Sequence, residues 1–353
     1  MNTKNSGRED VKMQTGRILH GILLVLFLVS LPVYAGDADR IGTAAGTQVL
    51  VPVGARDLAM AGSDIVFTKG PDAIYWNPAG LSNMTMKAAG MFSTTNIFGD
   101  IRVNYLAIGA SMGKFGHIGF SIKAFDFGDI PFTTIEDMDG SSGRTFSPTF
   151  STLGLTYSNK LTSTINVGIT TKMIYESAPR VSATALAFDI GLQYKNLAGI
   201  EGVSFAVVAK NIGSNMQYHG TGLMTQTTID GRQEFVRRGA SSDELPTSME
   251  LGLSYDYKVM ADNSLILSGV FRNNNVQNDE FRFGMEYNYK NFIMLRGGYL
   301  YMVNTPSEDV VYSFSLGAGL RYKLGNTNIG IDYAWRNVQY FDASNMFTLH
   351  VGF

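Results

Sequence analysis

The chain has 353 residues and a formal charge of −2, with 16% charged residues against 39 glycines, 17 tyrosines and 22 phenylalanines. A soluble domain carries about 25% charged residues, and with a near-neutral balance no nucleic acid is expected as a partner. Cysteine is absent, which excludes disulfides, zinc–thiolate sites and cysteine nucleophiles. His20, His117, His219 and His350 lie far apart without ligand spacing, so no metal site and no cofactor is expected.

At the N-terminus, Lys4, Arg8, Lys12 and Arg17 precede an apolar run at 21–31 and then Val33-Tyr34-Ala35. This predicts an export signal peptide over residues 1–35, cut after Ala35. The apolar run is shorter than the about 20 residues a helical membrane span takes. The charged lead is long for a signal, and Met13 stays open as the true start. Residues 36–46 are small and polar. The stretch 53–81 is the one long segment after them that does not read as strand. Within it Ala55, Leu58, Ala59 and Gly62 share one face of a short helix, and Asn77-Pro78 and Ala79-Gly80 break the chain.

From Met84 onward the period is two. Phe347, Leu349, Val351 and Phe353 alternate with Met346, Thr348, His350 and Gly352. Tyr312, Phe314, Leu316, Ala318 and Leu320 alternate with serines, glycines and Arg321; Met249, Leu251, Leu253 and Tyr255 alternate with Glu250, Gly252, Ser254 and Asp256. One row is apolar and the other tiny or charged, as in a barrel that faces lipid outside and water inside. Tyrosines gather at strand ends, where an aromatic girdle would lie.

Fourteen strands are expected, near 87–97, 101–112, 117–131, 146–159, 163–177, 181–195, 202–211, 247–259, 263–273, 279–290, 292–302, 311–323, 327–338 and 346–353. Their connections alternate between tight (Lys114-Phe115-Gly116, Met260-Ala261-Asp262, Leu324-Gly325-Asn326) and long (136–144, 213–246, 303–310). A β-sandwich has no reason to sort loop length by parity, whereas an outer-membrane barrel does. The predicted fold is therefore all-β, a transmembrane antiparallel β-barrel of about fourteen strands. About eight strands is the limit that side chains alone can fill, so residues 36–83 are expected to plug the lumen as a hatch and 84–353 to form the wall.

Val53-Gly54-Ala55-Arg56, Ala59-Met60-Ala61-Gly62 and Asp72-Ala73-Ile74-Tyr75-Trp76-Asn77-Pro78-Ala79-Gly80-Leu81 resemble the PorV/PorQ family of outer-membrane proteins, a branch of the FadL-like barrels. Lys210-Asn211-Ile212-Gly213 and Leu245-Pro246-Thr247-Ser248 follow in the family's order. The chain departs from the pattern at Ala61-Gly62-Ser63 and Lys69-Gly70-Pro71, which leaves the subfamily open. The resemblance implies a bacterial outer-membrane location and a hatch carrying Arg56, Asp57, Asp72, Trp76, Asn77, Pro78 and Gly80. It also implies a role as an accessory of type IX-like secretion, with a translocon and exported cargo proteins as partners. More distant relatives carry hydrophobic molecules, so a carrier of a hydrophobic ligand is the alternative, and a structural barrel surrounded by outer-membrane lipid a third.

Inward-facing Glu250, Asp256, Arg282, Glu286, Arg296, Arg321, Asp332 and Arg336 are expected to line the lumen, with Arg56, Asp57 and Asp72 as their hatch partners. The loop 214–245 places Met216, Tyr218, Leu223, Met224 and Phe235 among polar residues, a candidate surface for a protein partner. Phe347, Leu349, Val351 and Phe353 resemble the C-terminal signal read during barrel assembly. Two motifs carry little. Gly109-Ala110-Ser111-Met112-Gly113 has the nucleophile-elbow spacing but runs into a hairpin rather than a helix. Glu136, Asp137 and Asp139-Gly140 form half of a calcium loop and lack its distal glutamate. No enzyme is expected.

Overall fold

The computed structural model describes residues 40–97, 99 and 101–353; the expected signal peptide and residues 36–39 of the expected hatch lie outside the described residues. Fourteen antiparallel strands close into a barrel. They are β1 (Ala88–Asn96), β2 (Arg102–Ser111), β3 (His117–Asp126), β4 (Thr149–Lys160), β5 (Ile165–Ala178), β6 (Val181–Lys195) and β7 (Val203–Gly213), then β8 (Ser248–Met260), β9 (Asn263–Asn274), β10 (Glu280–Tyr289), β11 (Ile293–Met302), β12 (Phe314–Leu324), β13 (Thr327–Arg336) and β14 (Ser344–Gly352). Each pairs with its sequence neighbours, and β14 closes on β1 with His350 opposite Met91.

The fourteen expected strands are all present. The largest difference is in β3, which stops at Asp126 because Gly128 turns the chain at φ 67°. Ile130–Pro131 then pairs with Thr145–Phe146 as a small hairpin off the barrel. Long connections, 127–148, 214–247 and 303–313 among them, cluster at one end, and two-residue turns such as 261–262 and 325–326 lie at the other. Joint 179–180 is a short exception at the long-loop end and 196–202 a longer one at the other.

Outward rows are exposed and apolar: Phe92, Leu106, Leu251, Phe283, Leu316 and Phe347 all face away from the barrel, while their neighbours Ser93, Ala107, Glu250, Arg282, Ser315 and Met346 are buried. An aromatic and aliphatic belt around a polar interior is a surface made for hydrocarbon rather than water. It also explains why the chain tolerates so many exposed large apolar side chains.

Residues 47–83 pack inside. They form a 3-10 turn (Thr47–Leu50), helix α1 (Ala55–Ala59), a 3-10 turn (Gly70–Asp72), helix α2 (Ala73–Trp76) and a further 3-10 stretch (Pro78–Asn83). Gly54, at φ 84°, provides the left-handed step into α1 that a side chain would disfavour. Such irregular backbone leaves donors and acceptors that must be met once buried. The wall meets them with its inward polar row. Gln193 donates to Ile65 O and Thr68 O at 3.0 and 3.1 Å, Thr348 accepts from Ala55 N at 2.8 Å, Ser315 donates to Ala59 O at 3.1 Å, and Lys123 donates to Val51 O at 2.9 Å. The inward Ser, Thr and Gln residues are thus the counterpart of a segment with little regular structure of its own.

Candidate functional site

Within the inner segment, Trp76 Nε1 donates to Val53 O at 2.9 Å, tying α2 to the start of α1. Asn77 Nδ2 donates to Ile65 O at 2.9 Å while its Oδ1 accepts from Ala79 N at 3.1 Å. Pro78 lies directly over the wall: a Cβ on Gly168 would stand 2.3 Å from Pro78 C. Gly80 faces Thr68 O so closely that a Cβ would come within 2.2 Å of it.

Two charged residues of this segment reach the wall. Arg56 Nε lies 3.1 Å from Glu286 of β10, and Glu286 also takes Arg296 of β11 at 2.5 Å. Arg296 reaches Asp332 of β13 at 2.7 Å, which holds Arg321 of β12 at 2.6 Å. Asp332 lies 3.2 Å from Nδ1 of His350 in β14, whose Nε2 is 2.9 Å from Asp72. The chain of contacts leaves the inner segment at Arg56, crosses the wall and returns at Asp72. We refer to this circuit as the latch.

Arg56, Asp57, Asp64 and Asp72 are all buried. Desolvation pushes the Asp57 carboxyl well above its usual range, with the charge of Asp64 adding to it, and burial raises Asp64 as well. Both oxygens of Asp64 and one of Asp57 lack hydrogen-bond partners. Asp72 differs: burial pushes it up, but His350 more than reverses this and holds it below the usual range.

On the long-loop side of the inner segment lies a chamber of about 510 Å³. Leu58, Tyr75 and Trp76 form part of its floor, and Leu300 and Met302 part of its wall, which reaches the β11–β12 seam where the ladder ends at Tyr299 opposite Phe314. Its charges are paired unequally. Lys172 lies 2.7 Å from Asp189, Lys210 lies 3.3 Å from Glu250, and Arg272 and Arg282 share Glu280 at 3.0 and 2.8 Å. Arg336 alone among these cations has no carboxylate within ion-pair distance. Its guanidinium lies 3.8 Å from the Tyr312 ring centroid, and its Nε is buried without a partner.

The structure thus brings Arg56, Asp72, Glu286, Arg296, Arg321 and Asp332 into one latch and Glu250, Arg282 and Arg336 into the chamber. Three expectations need correction. Asp57 faces Thr68 and Asp64 rather than a wall cation, because α1 turns it back into the inner segment. Asp256 shares the inward row but stands exposed near the short turns and joins no ion pair. Met216 and Tyr218 do not belong to a partner surface. Met216 is buried against Val49, Ile174 and Leu245, and Tyr218 is half-buried and bonds the Glu176 carboxylate.

Sequence reasoning passed over His350, dismissed as an isolated histidine, and Asp64, Arg272 and Glu280. His350 was nonetheless on the inward row of the last strand, and that register was the available signal. Of the minor motifs, Ser111 ends β2 before a 3-10 turn. Asp137 accepts from Ser141 N and Ser142 N at 2.7 and 2.9 Å, which holds its carboxyl down at about 2 and makes it a loop cap.

Neither a family model nor a curated protein matches the chain. Solved structures do. The CymD monoaromatic hydrocarbon channel aligns with a TM-score of 0.51 at 13% identity, over 86% of this chain and 97% of its own. The Pseudomonas putida toluene transporter TodX aligns with 0.51 at 12%, over 84% and 96%. The fold is the one these channels share. The Ralstonia pickettii toluene transporter TbuX gives 0.50 at 13%, over 84% and 96%. At such identities the likeness is one of architecture alone. It does not reach the PorV/PorQ branch.

Proposed function

We propose that this chain is a bacterial outer-membrane channel that admits small, largely apolar molecules from the long-loop side into the chamber, with the inner segment as its hatch. The observation that carries the reading is the chamber: its volume falls within the about 300–1,000 Å³ of small-molecule sites, its floor is Leu58, Tyr75 and Trp76, and its mouth is at the long loops. Solved structures of the same fold include the CymD channel and the TodX transporter, in line with transport rather than a reaction. Residues 1–35 would direct export, and the outward row Phe347, Leu349, Val351 and Phe353 would serve assembly.

The test is uptake of a labelled apolar aromatic by cells that produce the barrel. Leu300→Trp, which adds an indole to the chamber wall, is expected to cut uptake several-fold. Uptake equal to that of cells without the barrel would overturn the reading.

One observation favours a second reading. Met224–Ile229 and Arg232–Arg237 form a hairpin off the barrel, paired with each other and not with the wall. Met224 and Phe235 are exposed on it, Phe235 by 73%, and Leu223 is half-exposed beside them. Such a surface suits a protein partner, as a PorV/PorQ-like accessory of type IX-like secretion would need. Co-purification of a translocon or exported protein from native membranes, lost when 224–237 is replaced by a short turn, would support it.

A further inference from the structure

The charges around the chamber do not balance. Its three buried acids, Asp189, Glu250 and Glu280, are shared among four cations, Lys172, Lys210, Arg272 and Arg282, each within ion-pair distance of one of them, and half-buried Arg336 is a fifth cation that reaches none. Burying cations beyond their partners is costly unless something else supplies the negative charge. The tyrosine face beneath Arg336 offsets part of that cost. It engages the face of the guanidinium, however, and leaves the in-plane N–H groups free. Of these, Nε–H is both buried and unbonded.

A guanidinium with free in-plane donors is shaped for a planar carboxylate. Tyr312 lies against it, and the rings of Tyr75 and Trp76 line the same chamber, which suits an aromatic body. We propose, on the reading of the chamber as a ligand site, that the preferred ligand is an aromatic carboxylate whose anionic head is bound by Arg336, rather than a neutral hydrocarbon. Arg336 is then the residue that sets specificity. Trp76 and Leu58 contact the apolar body, and the other cations, already committed to Glu250, Glu280 and Asp189, hold the site's shape.

The chain offers its own reporter. It has two tryptophans; Trp76 lines the chamber and Trp335 is in the β13 wall, so Trp335→Phe leaves Trp76 as the sole emitter. Quenching of that emission registers ligand in the chamber, apart from ligand dissolved in the surrounding micelle. The full barrel in detergent is titrated with 4-phenylbutanoate and with 4-phenylbutanol, equal in length and differing in the head. The acid is expected to bind roughly tenfold or more tighter, the worth of a charge-assisted hydrogen bond. Arg336→Gln brings the acid to the level of the alcohol, and Arg336→Lys restores part of the difference. Equal binding of acid and alcohol to the wild-type chamber overturns the inference while leaving an apolar ligand site in place. Absence of binding by either overturns the site itself. The acid–alcohol comparison needs no variant at Arg336, so a folding defect in Arg336→Gln does not blunt it.

Discussion

The contact between wall and inner segment can be tested on two adjacent glycines. Gly298 and Gly297 follow one another on β11 and therefore face opposite sides of the sheet. A Cβ built on Gly298 would stand 2.4 Å from Met60 C and from Ala61 N, both backbone atoms that cannot swing aside. On Gly297 the nearest atom is Leu316 Cδ2 at 3.6 Å, an ordinary contact on the outer face. Gly→Ala changes strand propensity equally at the two sites, so any difference between them comes from the inner segment. To reach ordinary contact with Ala at 298, residues 60–61 must retreat by about 1 Å or more, and overpacking of this kind costs roughly 1–3 kcal/mol. That corresponds to amide exchange across 55–76 faster by roughly 5- to 150-fold. Hydrogen exchange followed by mass spectrometry reads it directly, with heat-modified gel migration confirming that the barrel is closed. Gly297→Ala is expected to exchange as wild type. Equal protection of 55–76 in both variants would refute the claim that inward glycines are sockets for this segment.

The latch predicts a second outcome: His350→Gln removes the group between Asp72 and Asp332, and truncating one partner of a buried pair costs about 3–5 kcal/mol. Exchange at 70–76 is expected to rise while β14 stays protected. A third concerns pH. Raised carboxyls at Asp57 and Asp64 mean that the docked segment binds more protons than the free one, so docking weakens as pH rises above the ordinary carboxylate pKa. Asp57→Asn is expected to flatten that slope above the ordinary carboxylate pKa, read as protection of 55–68. Asp72 has the opposite sign: its lowered carboxyl stabilises docking above the ordinary pKa, and that contribution is lost as pH falls through the lowered value.

The wall was legible in the chain because a strand has a period of two and lipid imposes one kind of residue on every outward position. Leu251, Phe283 and Leu316 announce their side without reference to any other strand. The same register also divided the charged positions from the apolar ones. What it could not assign was partnership. Glu286 meets Arg296 because β10 and β11 place them directly opposite, but its contact with Arg56 depends on how a segment of short helices folds 230 residues earlier in the chain. Asp57 shows the limit most plainly. It adjoins Arg56 in sequence, yet α1 turns the two side chains to different neighbours. Met216 shows another: an apolar residue in a long loop reads as surface, and it became core because Val49 of the inner segment lies against it.

The manner in which the inner segment is held bears on whether it can act as a gate. Its contacts to β10, β13 and β14 combine the ion pairs of Arg56 and Asp72 with the apolar packing of Ala55, Leu58 and Ala59 on Ala334 and Met346. A buried ion pair fixes position closely but adds little net stability, since desolvation cancels much of the attraction. A plug packed only by leucines would lose its transfer energy in full on moving into a wet lumen. Arg56, Asp72 and Glu286 would instead regain hydration as they separate, so the ion pairs set the segment's position while the apolar clusters supply most of its hold. The inward glycines fit this account, because they let backbone approach backbone without contributing side chains that would have to be withdrawn. It follows that replacing Arg56 and Glu286 together with Met and Leu is expected to loosen docking less than Glu286→Leu alone, which leaves both Arg56 and Arg296 short of a partner. A double variant that exchanges as fast as the worse single one would show that the pair acts as an anchor rather than as a register device.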